Sequence, residues 1–160
     1  LALICGVSGS GKSASLRNIR EQPKWLYLNC EAGKRLPIRN KFDSYRIEDP
    51  YQVLEAFDFA IANPDKANGI IVDSTTFLMD MFESLHVLTA ANTMNAWNNY
   101  QQFFKTLMQQ KVVSFGKPVL MTAHVLDTLD EKAMEVKTSV PIKGALKNNG
   151  IEALTVSAAV

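Results

Sequence analysis

The eight residues from Gly6 to Ser13, GVSGSGKS, constrain this chain more than any other stretch. They match G-x-x-x-x-G-K-[ST] in full, with the apolar run LALIC (1–5) in front and a mixed segment behind. That order describes a buried strand, a glycine-rich turn and a helix expected over Lys12 to Ile19. The glycines let the backbone wrap closely, so that successive N–H groups point inward at phosphate oxygens. The helix behind adds the partial positive charge of its N-terminus. Lys12 is placed to reach the β- and γ-phosphates, and the Ser13 hydroxyl to ligate Mg²⁺. The expected nucleotide-binding segment is therefore Gly6, Val7, Ser8, Gly9, Ser10, Gly11, Lys12, Ser13 and Ala14.

Short apolar runs recur along the chain, separated by longer mixed segments. Strands are expected at LALIC, KWLYLNC (24–30), SYRI (44–47), GIIVD (69–73) and VLMTAH (119–124), with EALTVSAAV as a candidate terminal strand. Asp49-Pro50 supplies an N-cap and a first-turn proline for YQVLEAFDFAIA, where Val53, Leu54, Phe57 and Ile61 recur at helical spacing. One or two further helices run to about Gln110, and Gly116-Lys117-Pro118 breaks the chain before the fifth strand. Continuous rather than alternating apolar strands, joined through helices, indicate a mostly parallel sheet covered on both faces. Ligands of such a sheet sit beyond the carboxyl ends of its strands. The 160 residues are enough for one domain with a proper core. Because the chain opens on Leu1 in mid-strand pattern, it reads as a piece of a longer protein.

Net charge is only +1, so no global charge favours nucleic acid or a membrane surface. No uninterrupted apolar stretch approaches the roughly 18 residues a membrane helix needs. Cys5 and Cys30 each close an apolar run and read as buried, reduced thiols of a cytoplasmic protein.

Asp73 closes four apolar residues. Alone, an aspartate after a strand fits a helix N-cap as well as a metal partner; downstream of a P-loop it fits water-mediated contact with Mg²⁺. Many ATP-hydrolysing P-loop proteins carry a glutamate directly after that aspartate, but here the position is Ser74. A base for hydrolysis must come from elsewhere, and Glu31 in YLNCEAG is the candidate.

The series YLNCEAG, EDPYQVLEAFDFAI, GIIVDSTTFL and VLMTAH resembles the RecA-type ATPase core over roughly residues 1–125. The resemblance implies an α/β P-loop NTPase three-layer sandwich with a mostly parallel RecA-like sheet and helices on both faces. It implies an enzyme, an ATPase using ATP and Mg²⁺. Glu31 would orient or deprotonate the attacking water, Lys12 would contact the phosphates, Ser13 and Asp73 would hold the metal, and His124 would sense the γ-phosphate. The family sensor is commonly glutamine, so His124 is a departure. The strand bearing it is expected between those of Gly6 and Asp73. The chain looks closest to phage-encoded ATPases of single-strand annealing and recombination, which implies work in a bacterial host cytoplasm. Single-stranded DNA and a homo-oligomer with nucleotide at subunit interfaces are the implied partners.

Three rivals stay open. Asn40-Lys41-Phe42-Asp43 spells a guanine-reading N-K-x-D, but it precedes Asp73 and reads as a turn before a strand. A small-molecule kinase also uses a P-loop without a neighbouring glutamate, yet such kinases clamp phosphates with late arginines, and none follows Arg46. A non-catalytic nucleotide switch is the third. Residues 125–150 carry Lys132, Lys137, Lys143 and Lys147 among acidic residues. They read as a mixed-charge loop that contacts DNA or, through Lys143 or Lys147, a neighbouring subunit's nucleotide. Trp97, Tyr100 and Phe104 stand at helical spacing and fit packing better than base stacking.

Overall fold

The computed structural model describes residues 1–130, 135–141, 143 and 157–159. Among the described residues there are eight strands: β1 (Ala2–Gly6), β2 (Trp25–Asn29), β3 (Asp43–Arg46), β4 (Gly69–Asp73), β5 (Val119–His124), β6 (Leu126–Asp130), β7 (Glu135–Ser139) and β8 (Ser157–Ala159). Six form one sheet in the order β3-β2-β4-β5-β1-β8, every neighbouring pair parallel. As the sequence suggests, β5 lies between the strands that end in Gly6 and Asp73. The fold is an α/β P-loop NTPase-like sandwich.

Residues of period two divide the sheet into two faces. Leu3, Cys5, Leu26, Leu28, Ile70, Val72, Val119, Met121 and Ala123 enter the main core. Against them pack α1 (Tyr51–Ala62), α2 (Thr75–Phe82), α3 (Thr93–Lys105) and α4 (Val112–Phe115). Phe57, Phe82, Tyr100 and Phe104 are fully buried there, so Tyr100 and Phe104 are core residues. The alternate residues Ile4, Tyr27, Ile71 and Leu120 face a smaller core closed by Leu16, Leu36, Ile38 and Phe42. A short 3₁₀ helix, Ser13–Asn18, and the segment before β3 cover this second face.

That 3₁₀ helix is where an α-helix over Lys12–Ile19 is expected. Half of its sequence, SASLRN, is Ser and Asn, whose side chains compete for backbone hydrogen bonds; the Ser15 hydroxyl donates to the Lys12 carbonyl at 2.6 Å. Six residues of 3₁₀ geometry carry little macrodipole, so only the first-turn N–H groups remain to face an anion. In α1, Val53 and Phe57 are buried as expected, whereas Ile61 is 37% exposed and Ala60 takes the buried position. The Asp49 carboxylate accepts the Tyr51 N–H at 2.8 Å, ahead of a helix whose boundary residue Pro50 has φ −60° and ψ −28°. The α3 helix passes through a π segment, Thr106–Lys111, into α4 and ends at Gly116, whose φ of +64° suits a left-handed cap. Asn40-Lys41-Phe42-Asp43, expected as a turn, is instead an irregular segment with Phe42 buried, and Asp43 is already the first residue of β3. Within 125–150, β6 and β7 pair as an antiparallel ribbon, and β8 falls within the expected terminal strand.

Candidate active site

The turn after β1 is built on two left-handed glycines, Gly9 (φ +79°) and Gly11 (φ +90°). It is closed by the Ser10 N–H on the Val7 carbonyl at 3.2 Å. Gly6 has no room for a side chain, because a Cβ there would lie 2.4 Å from Ser10 Oγ. The Lys12 ammonium donates to the carbonyls of Gly6 (2.9 Å) and Val7 (2.8 Å), and the residue is 8% exposed. Burial lowers its pKa from the ordinary lysine value, while the charges of Glu31 and Asp73 oppose that shift.

One face of the sheet brings the acidic and polar groups to the same end. Asp73 follows Ile71 by two residues, Thr122 follows Leu120 by two, and Tyr27 lies on the same face. Asp73 is 2% exposed. One of its carboxylate oxygens accepts the Tyr27 hydroxyl at 2.6 Å, and the other accepts the Thr122 hydroxyl. Burial, then the nearby Asp73 charge, pushes the Tyr27 hydroxyl far up, so it stays a donor. The Cys30 thiol is likewise pushed up by burial and is a packing group. The Asp73–Ser74 peptide bond is cis. Ser74, standing where a glutamate is absent, caps α2: its Oγ accepts the Phe77 N–H.

Glu31 sits at the start of a tight turn through Ala32 (φ +50°) and Gly33 (φ +78°). The Glu31 N–H donates to Asn29 Oδ1 at 3.0 Å, and the Asn29 amide donates to the Lys34 carbonyl at 2.8 Å. The Glu31 carboxylate lies between two partners, with Lys34 Nζ 3.3 Å from Oε2 and His124 Nε2 3.5 Å from Oε1. The His124 backbone N–H donates to Thr76 Oγ1 at 3.0 Å, and the His124 ring meets Phe77 edge-on at 5.5 Å.

A cavity of about 380 Å³ joins these groups. Ser8, Gly9, Gly11, Lys12, Ser13 and Ala14 form one wall, and Tyr27, Glu31, Asp73 and His124 another. Gly6, Val7 and Ser10 are not on the wall; Gly6 and Val7 hold Lys12, and Ser10 braces the turn from behind. The site residues expected from sequence thus converge on one cavity or its frame. Sequence reasoning does not find Tyr27 and Thr122, nor the wall formed by Lys34, Arg35, Leu36 and Pro37. Thr122 carries a signal in hindsight: it is a polar residue two before His124 in an otherwise apolar strand.

The donor set suits Mg²⁺. Ser13 and Asp73 present hard oxygen atoms to the same cavity, and a carboxylate that already accepts two hydroxyls keeps further lone pairs. Mg²⁺ takes one or two protein oxygens and fills its octahedron with water and phosphate.

Outside the cavity, Lys143 forms an ion pair with Glu83, and its N–H donates to the Tyr100 hydroxyl at 3.5 Å. Lys132 and Lys147 lie outside the described residues, as does the side chain of Lys137. His86 lies 3.2 Å from Asp49 and packs on Tyr51 and Phe82, away from the cavity. Among the described residues no helix is long and apolar enough to cross a membrane. Compared with known proteins, residues 2–153 match a family model described as an AAA domain. No curated protein matches the chain.

Proposed function

Since the chain belongs to the AAA domain family, a nucleotide-binding ATPase type, we propose that it is a Mg²⁺-dependent ATPase acting on single-stranded DNA. One observation carries the hydrolytic part: Lys12, Ser13, Asp73, Glu31 and His124 share a single cavity. Residues 6–14 hold the triphosphate of ATP, with backbone N–H groups and Lys12 on its oxygens. Ser13 and Asp73 hold the metal, which supplies charge neutralisation at the phosphates. Glu31 accepts a proton from water as the water oxygen bonds to the γ-phosphorus. The bond to the β,γ-bridging oxygen breaks with its electron pair on ADP, and inorganic phosphate leaves. His124, in reach of Glu31, reports whether the γ-phosphate is present.

The single-stranded DNA, the homo-oligomer with nucleotide between subunits and the role in phage recombination and annealing are the finer part of the proposal. They rest on the resemblance of the four core segments YLNCEAG, EDPYQVLEAFDFAI, GIIVDSTTFL and VLMTAH to RecA-type proteins. The ribbon that begins two residues after His124 supports them, because it puts an exposed element next to the sensing strand.

The test is release of inorganic phosphate from ATP with Mg²⁺, with and without single-stranded DNA, beside a sizing run in nucleotide. Phosphate release stimulated by DNA is the expected outcome. Release without stimulation removes DNA and keeps the ATPase, whereas transfer of the phosphate to an added acceptor overturns hydrolysis. Glu31→Gln is expected to lower turnover by roughly 10²–10⁴-fold while ATP still binds. Unchanged turnover removes Glu31 from the mechanism.

A further inference from the structure

Transfer of a γ-phosphoryl group develops charge that a guanidinium can meet, and such an arginine accelerates cleavage by roughly 10³–10⁵-fold. All five arginines of this chain lie between positions 17 and 46. Arg17 is tied to the Ala14 carbonyl at 3.2 Å and Arg46 to Glu48 at 3.2 Å. Among the described residues Arg35 alone of the five lines the cavity that holds Lys12, Ser13 and Asp73. Among the described residues its guanidinium has no hydrogen-bond or ion-pair partner.

Lys34 on the same wall and Lys143 outside the cavity are both engaged. Lys34 sits on Glu31, and Lys143 sits on Glu83. Arg35 is also held in place by its chain neighbours. The Lys34 carbonyl accepts the Asn29 amide, and Leu36 packs into the smaller core, so the residue between them stands on a braced segment. An adjoining cavity of about 390 Å³ shares Tyr27, Lys34, Arg35 and Leu36 with the first, which gives the long side chain room to turn towards either.

We propose that Arg35 supplies, from within the same subunit, the guanidinium that binds the terminal phosphate of the bound triphosphate and stabilises it during cleavage. This rests on the ATPase reading above. The guanidinium exchanges no proton and remains charged throughout. The proton of the attacking water still passes to Glu31, and the bridging electron pair still leaves with ADP.

The experiment compares the wild-type chain with Arg35→Ala and Arg35→Lys, by steady-state phosphate release and by binding of fluorescent ATP and ADP analogues. It adds a mixture of Arg35→Ala with Lys12→Ala. Arg35→Ala is expected to lower kcat by roughly 10²-fold or more, with Arg35→Lys recovering part of it. Nucleotide affinity should change less than tenfold, and mixing should restore nothing. Turnover of Arg35→Ala within twofold of wild type overturns the proposal. So does restoration on mixing, because it makes the acting arginine a neighbour's. If the wild-type chain releases no phosphate, the hydrolase reading falls, and Arg35 is judged on binding alone. Loss of the preference for ATP over ADP in Arg35→Ala then supports the assignment, and an unchanged ratio overturns it. Thermal melts of the variants control for folding, which an exposed and unpaired side chain should leave unaltered.

Discussion

Asp73 reaches the phosphate end of the sheet as a carboxylate enclosed by two hydroxyls, Tyr27 and Thr122, in a place where water supplies little solvation. Deleting either hydroxyl leaves a charged acceptor short of a partner. Hydrogen bonds to charged groups contribute about 1.5–3 kcal/mol, so Tyr27→Phe and Thr122→Val are each expected to destabilise the fold by about 2 kcal/mol. Urea denaturation checks this, and a double variant costing no more than either single one would show that the two donors are redundant. This pair also shows where sequence reading stops. Gly6 to Ser13, Asp73, Glu31 and His124 were legible because their chemistry is scarce and their spacing is set by the ends of apolar runs. Tyr27 was not, because a tyrosine in WLYL fits a strand on propensity alone. Its task appears only when β2 is known to neighbour β4.

Among the elements, β4 is buried at all five residues, and its first residue shows how tightly its edge is packed. A Cβ on Gly69 would meet the Trp25 ring at 2.4–2.6 Å, from the strand paired directly beside it. A rigid indole cannot fold aside as a lysine could. Gly69→Ala is therefore expected to cost about 1–3 kcal/mol by overpacking, read as a lower denaturation midpoint with an unchanged slope. The strands of the large sheet were legible because burial on both faces writes continuous apolar runs. The β6–β7 ribbon was not. Leu126 and Val136, its apolar residues with described side chains, remain 56% and 64% exposed, so burial does not mark those two positions. The 3₁₀ geometry of Ser13–Asn18 was hidden for a different reason: a six-residue piece is too short for periodicity to distinguish it from an α-helical turn.

For the molecule as a whole, nucleotide binding and folding are linked, since the cavity gathers residues from four strands' ends and exists only in the folded chain. A ligand present at about 100 times its Kd adds about 2.7 kcal/mol to stability. At roughly 2–4 °C per kcal/mol for a chain of this size, ATP with Mg²⁺ should raise Tm by about 5–10 °C. Chelating the metal should remove part of that gain, and Lys12→Ala nearly all of it. An unchanged midpoint at saturating nucleotide would mean that the cavity is not the binding site.

The strand order has one more consequence, in the time domain. Among the described residues β1 pairs with β5 and β8 and with no earlier strand. During synthesis the phosphate loop emerges before residues 24–118, yet among the described residues the strand that carries it has no neighbour until residues 119–124 follow. Strands β2, β3 and β4 can find one another sooner. The loop is thus seated late relative to β2, β3 and β4, and a growing polypeptide completes the cavity around it only after His124 has been made.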